Sequence, residues 1–210
     1  MNAFNLSGTL NAFRVLFSPS LSIPHATVSH FSHLPTPLAT AFTAARSGKQ
    51  PDIRAVVLDK DNCFAVPYTN EVDASCRAKF DELRKAYPGD RLLIVSNSAG
   101  ATASAKAEEE ARILEQQTQT AVLRHVVKKP GCGDEIMKFF RSRPDTGVTH
   151  ASQVAVIGDR VFTDVVLANM MGANAIWIRD GVVKDTGLLP RFEKQLVHFL
   201  LSYGFEPSRH

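Results

Sequence analysis

Residues 54–67 read R-A-V-V-L-D-K-D-N-C-F-A-V-P, and the fold turns on them. Ala55, Val56, Val57 and Leu58 form a short apolar run, the pattern of a strand buried on both faces. The run ends in two acids, Asp59 and Asp61, with one residue between them. Ligands bind at the carboxyl ends of strands in open α/β sheets, so this pair is a candidate site. If the backbone stays extended, the period of two directs both carboxylates to one side. Such a pair can divide labour. One carboxylate stays ionised beside a cation and attacks phosphorus, while the other carries a proton for the leaving oxygen. A polar turn after a strand accounts for D-x-D equally well, and the rest of the chain has to decide.

With 210 residues, 44% apolar and 21% charged, the chain has the make-up of a globular domain with room for an appendage. A net charge of +3 and the lack of a Lys/Arg run argue against nucleic acid as a partner. Cys63, Cys76 and Cys132 are odd in number and widely spaced. They read as reduced thiols in a non-secreted protein, with neither disulfides nor zinc favoured. No apolar run reaches the roughly 18 residues needed to span a bilayer.

Residues 1–51 stand apart as an arm before a domain at 52–210. They hold no Asp or Glu and only Arg14, Arg46 and Lys49 as permanent cations. Leu6, Leu10, Phe13, Val15, Leu16 and Phe17 recur at approximate helical spacing until Pro19. An acid-free, Ser-rich start is like a mitochondrial transit segment. Alternatively, residues 4–17 form an amphipathic helix that lies on a membrane or packs against the domain. Arg14 is the only cation there, so burial of Leu and Phe would supply most of any lipid affinity. Pro24, Pro35 and Pro37 make residues 23–42 a loop with a short helix, wrapped on the core.

Beyond the first strand, helices and strands alternate. Residues 74–86 have helical spacing, stopped by Pro88 and Gly89. Residues 91–95 are a second buried strand delivering Ser96, Asn97 and Ser98. Residues 101–117 are a helix by propensity, with Glu108, Glu109 and Glu110 on a solvated face. A third strand at 121–127 leads to Lys128, Lys129, Pro130 and Gly131, and residues 133–143 return as helix. A fourth strand at 153–157 ends in Gly158 and Asp159. A helix at 163–171 is closed by Gly172, a fifth strand spans 175–178, and a last helix spans 191–203. The pattern predicts an α/β fold, a Rossmann-like parallel sheet with helices on both faces.

In such a sheet the strand ends D-K-D-N, S-N, K-K-P-G and G-D-R-V-F-T-D fall on one edge. Together they supply a nucleophile, an acid, a hydroxyl with an amide, a cation and further acids. Phosphoryl transfer needs that inventory, because its catalysis is mostly positioning and neutralising spread charge.

Over residues 54–181 this order resembles the four motifs of the haloacid dehalogenase superfamily of phosphatases. The resemblance implies that Asp59 becomes an aspartyl-phosphate and that Asp61 protonates the leaving oxygen and later deprotonates water. Ser96 with Asn97 would hold the phosphoryl group, and Lys129, in preference to Lys128, would neutralise it. Asp59, the backbone carbonyl of Asp61, and Asp159 would bind Mg2+, an oxygen-seeking ion, with Asp164 orienting that shell. Cys63 departs from the Thr or Val of most members and reads as a packed residue, not a second nucleophile.

The spellings D-K-D-N-C, S-N-S-A-G, K-K-P-G and G-D-R-V-F-T-D, with P-S-L-S-I-P-H at 19–25, are similar to the mitochondrial phosphatidylglycerophosphate phosphatases of fungi and their bacterial and plant relatives. That resemblance implies magnesium-dependent hydrolysis of phosphatidylglycerophosphate on the matrix face of the mitochondrial inner membrane, feeding cardiolipin synthesis. The spacing agrees, since residues 63–96 and 98–128 leave no room for a lid domain. A capless site suits a phosphate presented on a large body, and the apolar arm favours a bilayer, contacted peripherally through residues 4–17. Arg14, His25, Arg124, Lys128 and Arg160 are candidates to face anionic head groups. Two rivals remain: the same chemistry on a phosphoprotein, nucleic-acid end or soluble ester, and a non-enzymatic phospho-acceptor switch. Asp61 speaks against the switch, because an acid that activates water shortens the life of the acyl-phosphate.

Overall fold

Six parallel strands form one sheet in the order β1-β6-β5-β2-β3-β4. They are β1 (Ala26–Val28), β2 (Ala55–Leu58), β3 (Leu92–Ile94), β4 (Ala121–Val122), β5 (Val154–Gly158) and β6 (Asn174–Ile178). This computed structural model describes residues 18–42, 50–101 and 104–208. From β2 the chain steps outward to β3 and β4, then crosses back to lay β5 on the other side of β2. The order therefore reverses between β2 and β5, and a parallel sheet opens its ligand crevice at such a reversal.

The strands are apolar throughout because both faces are covered. Val56, Leu58, Ile94, Ile157 and Ile178 face one core. It is closed by α1 (Arg77–Ala86), α2 (Ala105–Thr118) and the side chains of Phe31, Leu34, Leu38 and Phe42. Val57, Leu93, Val156 and Trp177 face the other. It is closed by α3 (Gly133–Arg141), α4 (Val166–Met171) and α5 (Leu188–Ser202). Each fully buried aliphatic side chain contributes about 1.5–3 kcal/mol.

Local chemistry sets several boundaries. Ser104 caps α2, accepting the Ala107 N–H. Gly172 ends α4 at φ +78°, the left-handed conformation glycine adopts without a Cβ penalty.

Four expectations need correction. Residues 23–42 are not only loop and short helix, since Ala26–Val28 adds an edge strand beside β6. The third strand has two residues, not seven, after which Ala101 and His125 make an isolated bridge. The helix expected at 163–171 opens as a π-type turn, Val161–Val165, before α4. The Asp164 carboxylate accepts the Arg160 N–H there, and π-type turns are frequent at functional positions. The last helix starts at Leu188, because Pro190 falls in its first turn, where the missing N–H removes no helical bond.

The predicted amphipathic helix at 4–17, with Arg14, lies outside the described residues. No helix among the described residues is long and apolar enough to cross a membrane.

Candidate active site

Leu58 of β2 lies opposite Ile157 of β5, so the acids that follow, Asp59 and Asp159, emerge together at the crevice. The Asp59 N–H donates to the Ile157 carbonyl at 2.8 Å. Carboxylate oxygens of Asp59, Asp159 and Asp164 all lie within 4.8 Å of one another. From the loop after β4, the buried Lys129 ammonium donates to Asp59 and, at 2.7 Å, to Asp164. Residues far apart in the chain thus share one cluster.

Burial raises the Asp59 carboxyl to about 7; Lys129 pulls it back and Asp164 pushes it up again. Burial, then the charges of Asp59 and Asp164, hold Asp159 well above the ordinary carboxylate range. Burial works against the Lys129 charge, but Asp164 and Asp59 outweigh it and keep the ammonium protonated. Asp61 goes the other way. Burial would raise it, yet the hydrogen bond and charge of Lys60 hold it below its usual value.

The cluster has too few donors for its acids. Asp159 Oδ1 is buried without a hydrogen-bond partner, an expensive state for a carboxylate oxygen. Crowded acceptor-only oxygens with an orphan among them fit a hard divalent cation.

The other predicted residues are placed as follows. The Asp61 carboxylate accepts from Lys60 Nζ at 2.6 Å, the Tyr68 N–H at 2.8 Å and Ser98 Oγ at 2.8 Å. Ser96 is fully buried, with its hydroxyl 3.4 Å from Asp61 and 2.9 Å from Ser98 Oγ. Asn97 lines the cavity, and its Oδ1 accepts the Lys129 N–H. Cys63 is buried beside Ile157, with its thiol pushed well up by burial, as suits a packed residue. Of the head-group candidates, His25 bonds the Ala175 N–H and Ser208 carbonyl, Arg124 is held by Glu108 and Glu115, and Arg160 by Glu193.

Three contributors were not singled out from the sequence. Lys60 is buried, paired with Asp61 and donating to the Thr69 carbonyl at 2.8 Å. Asn62, at φ +61°, bonds Asp159 through its side chain and the Val182 and Val183 N–H groups through its two oxygens. Trp177 donates its indole N–H to the Asp159 carbonyl at 2.9 Å. The second letter of D-K-D-N and the Asn after it were the available signals for the first two.

Gly158 leaves room for this packing, because a Cβ there would sit 2.3 Å from the Asp164 carboxyl carbon. Gly158→Ala is expected to lose about 1–3 kcal/mol of stability by overpacking and most turnover. Denaturant melts and phosphate release measure both, and wild-type values would mean that Asp164 does not need this position.

Asp59, Asp159 and Lys129 of the cluster line a cavity of about 480 Å³ together with Asp61, Asn97, Arg160, Tyr68 and Lys184, while Asp164 is buried. The family model described as "Mitochondrial PGP phosphatase" matches residues 6–183. The chain is 43% identical over 196 residues to "Phosphatidylglycerophosphatase GEP4, mitochondrial" of Saccharomyces cerevisiae, covering 93% of this chain and 98% of that protein. It is 32% identical over 192 residues to "Probable phosphatidylglycerophosphatase, mitochondrial" of Schizosaccharomyces pombe, covering 91% and 90%. It is 28% identical over 213 residues to the chloroplastic phosphatidylglycerophosphate phosphatase 1 of Chlamydomonas reinhardtii, covering 99% and 73%. A motif-bearing strand edge and matches running nearly end to end have one reading: the chain belongs to the mitochondrial PGP phosphatase family.

Proposed function

We propose that this phosphatase removes the terminal phosphate of phosphatidylglycerophosphate, giving phosphatidylglycerol, through an aspartyl-phosphate at Asp59 and with Mg2+. The observation that carries the chemistry is the meeting of Asp59, Asp159 and Asp164 within 4.8 Å, with Lys129 against two of them. The names of the relatives support the substrate and a mitochondrial site of action. Placement as a peripheral protein on the matrix face, with residues 4–17 touching the bilayer, belongs to the same proposal.

An Asp59 oxygen attacks phosphorus opposite the glycerol oxygen; the bond to Asp59 forms as the bond to glycerol breaks. The departing oxygen takes a proton from Asp61. Water then attacks the aspartyl-phosphate, gives its proton to Asp61 and frees Asp59 and inorganic phosphate. Lys129 and Asn97 face the transferring oxygens, whereas Ser96, predicted to hold the phosphoryl group, is buried and acts through Asp61 and Ser98. Asp59, the Asp61 carbonyl and Asp159, with Asp164 orienting them, would hold Mg2+, which would supply charge to screen an anionic nucleophile from an anionic phosphate. The Lys60 pair favours the ionised Asp61 needed for the second step. Donating a proton in the first requires that pair to loosen. Its tethers, the Thr69 carbonyl and the Tyr68 N–H, both lie in the irregular segment between β2 and α1.

A phosphate-release panel over the lipid and soluble esters, with and without magnesium, tests the reading. Magnesium-dependent release with a preference for the lipid is expected. Indifference to the lipid part would move the substrate to a soluble ester or a phosphoprotein.

A further inference from the structure

A second cavity of about 360 Å³ adjoins the first, a size at the lower end for small-molecule sites. The two share the walls formed by Asn62, Asp159, Val183, Lys184 and Asp185, so they lie side by side with Lys184 on the border of both. The loop between them is fixed in place. Gly181 lies so close to Asn62 that a Cβ would sit 2.3 Å from its amide nitrogen, and Asn62 bonds the next two N–H groups of the loop. On its outer side the loop continues the pairing with β1, with the Arg179 and Asp180 N–H groups donating to Val28 and Ser29 carbonyls.

The cations around these cavities are mostly engaged. Lys129 pairs with Asp59 and Asp164, Arg160 with Glu193, and Arg179 and Lys194 with Asp180. Lys184 is exposed, stands where the cavities join, and has no hydrogen-bond or ion-pair partner among the described residues. Resting on the substrate reading above, the geometry points to Lys184 as the group that takes a second phosphate of the substrate. This is the diester phosphate, joined through glycerol to the monoester being cleaved and lodged towards the adjoining cavity. An ammonium on a flexible stem suits a phosphate of adjustable position. It would let the enzyme prefer substrates that carry two phosphates a glycerol apart over simple monoesters.

The test compares wild type with Lys184→Gln and Lys184→Arg on three probes: phosphatidylglycerophosphate in mixed micelles, its deacylated form, and glycerol 3-phosphate. The deacylated form keeps both phosphates without acyl chains, and glycerol 3-phosphate has one. The readout is the ratio of kcat/KM for each two-phosphate substrate to that for glycerol 3-phosphate. Loss of one charge-assisted contact is expected to lower both ratios about tenfold in Lys184→Gln, through KM and not kcat, with Lys184→Arg restoring most of it. Unchanged ratios alongside normal lipid turnover overturn the subsite alone. A loss confined to the micellar lipid overturns it too, because Lys184 would then be reading the surface. A wild type that turns over glycerol 3-phosphate but neither two-phosphate substrate overturns the substrate reading together with the subsite. Thermal melts of both variants are expected to match wild type, because the side chain is exposed.

Discussion

Asp59→Asn protein is expected to fold and to release phosphate at a rate lower by on the order of 10³-fold or more, the scale at which removing a nucleophile acts. The amide is nearly the same size, but it is a poor nucleophile and a weaker cation ligand. The fold should tolerate it for a specific reason. Asp59 is a desolvated carboxylate beside Asp159 and Asp164, so neutralising it removes repulsion, and Lys129 keeps Asp164 at 2.7 Å. A melting temperature close to wild type together with lost turnover separates chemistry from collapse. Substantial release by this variant would remove Asp59 as nucleophile and the aspartyl-phosphate with it.

Chelation is expected to abolish turnover, and magnesium is expected to restore it while raising stability in a pH-dependent way. In the metal-free fold Asp59 holds its proton up to about pH 7, against a reference of 3.8 for an ordinary aspartate. Between those values the native state binds more protons than the unfolded chain. This contribution to stability is therefore full below about 3.8 and lost as pH rises through about 7. Asp159 shifts in the same direction. A cation requires both acids deprotonated, so its affinity climbs over the same window. At about a hundred times its Kd it would add about 2.7 kcal/mol, or about 5–10 °C in Tm for a chain of this length. The increment should be small at about pH 5 and large at about pH 8. An equal increment at both pH values, or turnover that survives chelation, would count against a metal held by these acids.

Much of this was legible from residue order alone. Ala55, Val56, Val57 and Leu58 read as a doubly buried strand because each has an apolar partner layer, and their run ends where Asp59 begins. Gly172 read as a helix stop because its backbone had to turn left-handed. Other features were hidden for physical reasons. Ala26–Val28 is too short, and too close to Pro24 and a string of serines, to register as a strand; pairing with β6 decides it. The third strand stops at Val122 although apolar residues follow it. Beyond that point the chain turns so that the His125 ring bonds the Ser96 and Val127 carbonyls.

The amino-acid order determined the α/β alternation, the edge on which the motifs gather and the chemical inventory at that edge, because these follow from local periodicity and the handedness of parallel crossovers. Only the tertiary structure decided the protonation states and the pairings. Burial lifts Asp59 while a buried Lys60 lowers its near neighbour Asp61. Ser96 turns inward, and Asn62 ties the first motif to the loop that carries Lys184. Such outcomes depend on desolvation and on distances between residues far apart in the chain, and neither quantity is written in any short stretch of it.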